Sequence, residues 1–371
     1  MAKAAEVMQL MGELAPARLA EDWDNVGVQV GDASQDVENV LLALDFNQKV
    51  LAEAVEKKCQ LIITHHPFIF NGIKSVDTQN QSGKLIFELI KNNISLFSAH
   101  TNLDIAEAGL NDYLIKKLDV DNISILKTTN SQNYHKLVTF IPKASFESVR
   151  DALYAKGAGK YKNYSHSGFY QQGKGNFKPL VDSEPYLGEK GKLNEVEEYR
   201  LETIVAPENL DQVIKELLKV HPYEEPAWDL YQMDNLKSKK GIGRIANLKS
   251  EMELDSFLDK IKEVYELDLI KVVKAKKKIK RIALCSGSGA DFIKDAHFKG
   301  ADLYLTGDVK FHEAQTAEEL GMSLVDFGHY GSEKFVKELL FEQLNKRAST
   351  KLKKEVTFIK SEVNTDPWNY K

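Results

Sequence analysis

Residues 61–70 read LIITHHPFIF, an apolar run that sets His65 and His66 side by side and then stops at Pro67. Proline removes a backbone donor and ends a regular strand. Adjacent residues point in divergent directions, so the two imidazoles can serve different centres. Two further runs carry similar chemistry. ISLFSAH (94–100) leads into TNLDIAEAG, which holds Asp104 with His100 and Thr101 nearby, and MSLVDF (322–327) delivers His329, with Glu333 four residues on. A spacing of four places two side chains on one face of a helical turn. Imidazoles and carboxylates are the ligand set of zinc, iron or manganese, and one zinc takes three or four protein ligands. His65, His66, Asp104, His329 and Glu333 therefore suffice for two divalent ions roughly 4 Å apart, the spacing that clamps the oxygens of a hydrolytic reaction. The expected cofactor is such a pair, zinc first, with iron or manganese as alternatives.

Plainer readings exist for each residue. Glu333 near a helix start also complements the dipole, with Ser332 as a cap. His312 and Asp308 follow LYLT (303–306), and His312 is a candidate acid, base or substrate contact beside Glu333 in the catalytic role. Ordinary hydrogen bonding would equally explain it. Asp24 and Asn25 suit either a turn or support of the metal loops. The SGSG run (286–289) fits a strand-to-helix turn better than a phosphate cradle. No GxxxxGK[ST] run occurs, which argues against P-loop nucleotide hydrolysis.

These residues need a scaffold that collects them. VENVLLALDF (37–46), LIIT (61–64) and ISLFSAH (94–100) read as strands, alternating with helices over 48–59, 82–93 and 108–119. The scheme recurs with strands at 279–285, 301–306 and 322–327 and helices at 289–300 and 333–347. KKCQLIITHH and FKGADLYLTGD look like one element used twice, which implies duplicated α/β halves. Such alternation predicts largely parallel sheets covered by helices, with ligands bound beyond the carboxyl ends of the strands. Between the halves the texture changes. A strand, helix, hairpin, helix, strand order describes a ferredoxin-like α+β module, with LKSKKG (236–241) as its exit linker. The predicted organisation is a first half over 1–128, an insert over 129–237 and a second half over 238–371.

The composition excludes some classes. A formal charge of −5 over 371 residues gives no global basic field, so nucleic acid is an unlikely partner. The amino terminus lacks the apolar stretch of a secretory signal, and no run reaches the roughly 18 apolar residues of a membrane span. Cys59 and Cys285 make no metal-ligand spacing and suit a reducing cytoplasm, the expected location.

WDNVGVQVGD (23–32), ITHHPFIF (63–70), SAHTNLDIAEAGLND (98–112), LTGDVKFHEAQTAEELG (305–321) and DFGHYGSEKF (326–335) together resemble the Nif-three-like dinuclear metal-centre family, the type 2 homologues of GTP cyclohydrolase I. The resemblance covers about residues 1–128 and 240–371. It implies that His65 and His329 hold one ion, that His66 and Asp104 hold the other, and that Glu333 bridges them. It also implies a toroidal homohexamer built as a trimer of dimers, and purine ring-opening hydrolysis of GTP. HPYEEPAWD (221–229) looks like the terminal motif of CutA-like proteins, which implies a PII/CutA-like insert. The alternatives are a phosphoesterase, or a non-catalytic metal-binding or regulatory assembly whose insert senses a small molecule.

Overall fold

The computed structural model describes residues 1–369 and divides the chain into two compact units. One comprises Met1–Thr129 with the chain from Lys240 onward, and the other is Asn130–Lys239.

The first unit is mixed α/β and contains two sheets built alike. One runs Thr357–Lys360, Asn39–Ala43, Leu61–Thr64, Ser95–Ser98, Gly27–Val30, all parallel except the last. The other has Lys278–Leu284, Leu303–Thr306 and Ser323–Asp326 in parallel. It is flanked by antiparallel partners, Lys271–Val273 on one side and the long strand Trp228–Glu253 on the other. Every residue of LIIT, LYLT and SLVD is buried, as expected of parallel strands covered on both faces.

Local signals explain the helices between them. Asn47 caps Gln48–Glu56 by accepting from the amides of Lys49 and Val50, and Asn80 caps Gln81–Lys91 by accepting from Gly83. One continuous core joins residues from both ends of the chain, including Val7, Leu103, Leu114, Phe257, Leu305 and Leu339. The buried Arg244 fastens the halves further. It donates to both carboxylate oxygens of Asp112 at 2.6 and 3.2 Å and to the Ala106 carbonyl at 3.1 Å. Removing the guanidinium would strand a buried carboxylate.

Several elements depart from expectation. LKSKKG is no linker, because it lies within the strand Trp228–Glu253. Residues 236–240 alternate between half-buried and exposed, so the period of two was present beneath the lysine-rich composition. The expected helix at 333–347 is two, His329–Glu333 and Val336–Lys351. The strands Gly27–Val30, Lys271–Val273 and Thr357–Lys360, all at sheet edges, were not anticipated, being short runs with little apolar signal.

The second unit has the order strand, helix, two strands, helix, strand. It comprises the end of Val120–Pro142, Phe146–Ala155, Gly168–Phe177, Asn194–Val205, Leu210–Val220 and the start of Trp228–Glu253. Asn194–Val205 pairs antiparallel with the strands on either side. Its own core gathers Leu137, Val149, Leu153, Leu201, Val213 and Leu217. Among the described residues no helix is long and apolar enough to cross a membrane.

Candidate metal centre

His65 and His66 follow directly on Leu61–Thr64, and both backbone amides donate to the Leu44 carbonyl at 3.1 Å. The Thr64 hydroxyl holds the His66 carbonyl at 2.9 Å. The next strand leads into the short helix Thr101–Ile105, which carries Asp104, buried. His329 and Glu333 occupy the first and last positions of His329–Glu333, behind Gly328 at φ +80°. That one-turn spacing brings His329 Nε2 to 3.0 Å from Glu333 Oε2.

Each imidazole is oriented by an acceptor on its Nδ1. His65 Nδ1 faces the Ala99 carbonyl at 2.8 Å, and His66 Nδ1 faces Asp45 at 2.7 Å. His329 Nδ1 faces Asp308 at 2.7 Å, and His100 Nδ1 faces Asp24 at 2.9 Å. A carbonyl or ionised carboxylate only accepts, so each Nδ1 carries the proton and, in the neutral ring, each Nε2 keeps its lone pair. Metal-binding histidines are oriented in this way.

The Nε2 atoms converge. His66 Nε2 lies 3.3 Å from His329 Nε2 and 2.9 Å from Glu333 Oε2. His65 Nε2 lies 3.8 Å from Asp104 Oδ2 and 3.7 Å from Glu333 Oε1. Donors roughly 2.0–2.2 Å from a shared ion stand about 3–4 Å apart, so these separations suit ligation. Two buried atoms, His65 Nε2 and Glu333 Oε2, lack a well-aligned hydrogen bond despite their close neighbours, a costly arrangement unless something else fills the space. His65, His66 and His100 also bring ring nitrogens within 4.8 Å of one another, as do donors of His66, His329 and Glu333. The distances group these residues otherwise than the resemblance implies. By distance His66 goes with His329 and His65 with Asp104, while Glu333 lies between the two pairs.

Electrostatics favour a cation at this point. Burial opposes charging His66, yet Asp45 and Glu333 outweigh it and lift its pKa to about 10. Burial likewise opposes charging His329, and Glu333 with Asp308 lifts it to about 9. His65 is raised despite complete burial, by Asp104 and then Glu333. Burial pushes the Glu333 carboxyl up, but the neighbouring imidazoles of His329, His65 and His66 hold it well below the usual carboxylate range. Asp104 is raised, by burial first and then by Glu333, though His65 opposes this. A site that attracts protons so strongly attracts metal ions by the same field.

Surrounding residues fix the geometry. Ser286 donates to Asp104 at 2.9 Å, and the amide of Gly287 donates to Ser332 at 2.8 Å. Gly287 sits at φ +60°, and a Cβ there would meet Glu333 Oε1 at 2.4 Å. The SGSG amides of Ser286, Gly287 and Gly289 are thus engaged within the protein. Ser332 does not cap; it donates to the His329 carbonyl at 2.7 Å. Asp24 is held at a pKa of about 2, where burial is overcome by bonds from His100 and Thr101. Asn25 donates to the Ile69 carbonyl, securing the HHPFIF loop.

His312 stands apart. It is exposed on Phe311–Glu319 and bonds Gln315 at 2.9 Å, and among the described residues it shares no hydrogen bond or ion pair with the cluster. Asp45 was missed from sequence, and His100 was noted only as a neighbour. Both follow an apolar strand at the edge that carries His65 and His66, which was the available signal.

Residues 2–367 match the family described as Duf34/NIF3 (NGG1p interacting factor 3). A Bacillus subtilis protein named GTP cyclohydrolase 1 type 2 homolog is 38% identical over 366 residues, 98% of each chain. A Listeria innocua protein of the same name is 39% identical over 368 residues, 98% of each chain. Among solved structures, a Bacillus cereus protein related to NIF3 superposes with a TM-score of 0.92 at 37% identity, covering 100% of this chain and 99% of that one. The chain belongs to the Duf34/NIF3 family.

Proposed function

We propose that the protein binds two divalent metal ions and uses them to hydrolyse a small molecule bearing a flat aromatic base, with GTP the first candidate because of the relatives' names. The observation that carries this reading is the convergence of outward-anchored imidazoles on Glu333, with His65 Nε2 and Glu333 Oε2 buried and unsatisfied. His66 and His329 would hold one ion and His65 and Asp104 the other, with Glu333 shared. Bound divalent ions lower the pKa of water and polarise a substrate's oxygens.

The chain's own residues supply orientation and contact. Asp45 and Asp308 keep the Nε2 lone pairs of His66 and His329 turned inward. Trp23 and Phe70 present half-exposed rings with centroids 5.8 Å apart, and Trp23 packs edge-on to His100 at 6.1 Å. They offer apolar ring faces, tilted 44° to each other, against which a purine can pack. The inserted unit is read as ferredoxin-like from its element order, and the assembly as a hexamer from the family resemblance; light scattering tests the latter.

Elemental analysis of purified protein should find metal, and the double variant His65→Ala, His66→Ala should lose it. Unchanged metal content would remove the ligand assignment. Metal-loaded protein incubated with GTP and a panel of phosphoesters, against Glu333→Gln, separates the catalytic alternatives. Absence of turnover with every compound leaves a metal-binding scaffold.

A further inference from the structure

The inserted unit has a groove of about 1010 Å³ whose lining residues all lie within Asn130–Lys239. That volume suits a small-molecule ligand. Aromatic rings form its walls. Tyr223 lies 6.1 Å from Phe177 and 6.3 Å from Tyr186 between centroids.

Within this lining sits Glu198, only 8% exposed. One of its oxygens accepts from the Tyr223 hydroxyl at 2.8 Å. The other has no hydrogen-bond partner, and no lysine, arginine or histidine pairs with the carboxylate among the described residues. Such a carboxylate, little exposed and without a cationic partner, favours one when it is supplied. The fold makes room for the carboxylate, because a Cβ on Gly175 would meet its oxygen at 2.1 Å. The HPYEEP turn holds the opposite wall in place. His221 Nδ1 accepts from the Tyr223 amide at 3.1 Å, so its Nε2–H donates to the Phe140 carbonyl at 3.0 Å. This neutral ring anchors the turn, and with it Tyr223 beside Glu198. Asp182, Glu224 and Glu225 add negative charge at the lining beside Lys178, while Lys174 and Arg200 line a smaller adjoining cavity that Glu198 also borders.

We propose that this groove binds a compact organic cation, a primary ammonium or guanidinium carried on a flat apolar group. The charged head pairs with Glu198 and the flat group lies against Tyr223 and Tyr186 by ring packing. The inference does not rest on the metal centre, and the two can fail separately.

Full-length protein titrated by calorimetry with phenethylammonium, phenethylguanidinium, phenethyl alcohol and phenylacetate tests it. At least one of the two cations should bind at least about tenfold tighter than the isosteric alcohol, and phenylacetate should not bind. Glu198→Gln should weaken cation binding by about tenfold while leaving binding of the alcohol and the metal content unchanged. Gly175→Ala, which displaces the carboxylate but keeps it, should cause a similar loss. Equal binding of cation and alcohol, no binding of either cation, or wild-type cation affinity in both variants would overturn the proposal.

Discussion

Leu61–Thr64 ends in His65 and His66, whereas Leu303–Thr306 ends in Gly307 and Asp308. The approach to the two strand ends is the same in detail. Each preceding helix terminates at a residue with positive φ, Lys58 at +50° and Gly300 at +77°. The amide after it returns to the helix in both cases, Cys59 to Ala54 at 2.8 Å and Ala301 to Ala296 at 3.0 Å. The carbonyl one residue later receives the next strand in both, from Ser95 and from Ser323. Beyond the strand the resemblance stops. The first half places two imidazoles at the centre. The second places no side chain at Gly307, where a Cβ would lie 2.8 Å from backbone atoms of Gly328 and His329, and uses Asp308 to orient His329. One scaffold position thus places imidazoles in the cluster in one half and supports a neighbouring imidazole in the other.

Substitutions can break this asymmetry. Gly307→Ala should have the largest effect, because the obstructing atoms are backbone. Denaturation should show about 1–3 kcal/mol lost, with reduced metal retention as His329 is displaced. His65→Ala at the matching position should lose metal without that overpacking cost. Asp308→Ala and Asp45→Ala should each weaken metal affinity by about 10- to 100-fold, read by competition with a chelator, since each removes the acceptor that orients an Nε2. Equal affinity in both variants and wild type would show that the rings need no such support.

The smallest effect sharpens the contrast from outside the centre. His66 and His329 face carboxylates and are raised, but His221 is buried with backbone hydrogen-bond partners among the described residues, and burial lowers its pKa below 6.5. A depressed folded-state pKa means that the stability this group contributes is present above about pH 6.5 and is lost as pH falls through the lower folded value. The slope from this group is at most ~1.4 kcal/mol per pH unit. Urea midpoints between pH 7 and 5 should therefore fall more steeply for wild type than for His221→Gln.

Much of this was legible in the residues. The buried strands LIIT, LYLT and SLVD declared themselves by apolar runs, and the adjacent histidines by their rarity. What escaped lay where the signal is nonlocal. Thr357–Lys360 joins a sheet made by the opposite end of the chain, and nothing in TFIK says so. Asp45 looks like any acid after a strand until His66 is seen 2.7 Å away. The closeness of His66 to His329 and of His65 to Asp104 depends on how the chain folds back on itself, which spacing along it cannot report.

The strand Thr357–Lys360 has a consequence for biosynthesis. It completes the edge of a sheet begun by Asn39–Ala43, and just beyond it Thr365 bonds Asp45, the anchor of His66. A nascent chain therefore holds an unpaired edge until Thr357–Lys360 has left the ribosome. The centre cannot be fully assembled on a truncated product, so premature termination yields a species with an open, sticky sheet and an imidazole lacking its full support.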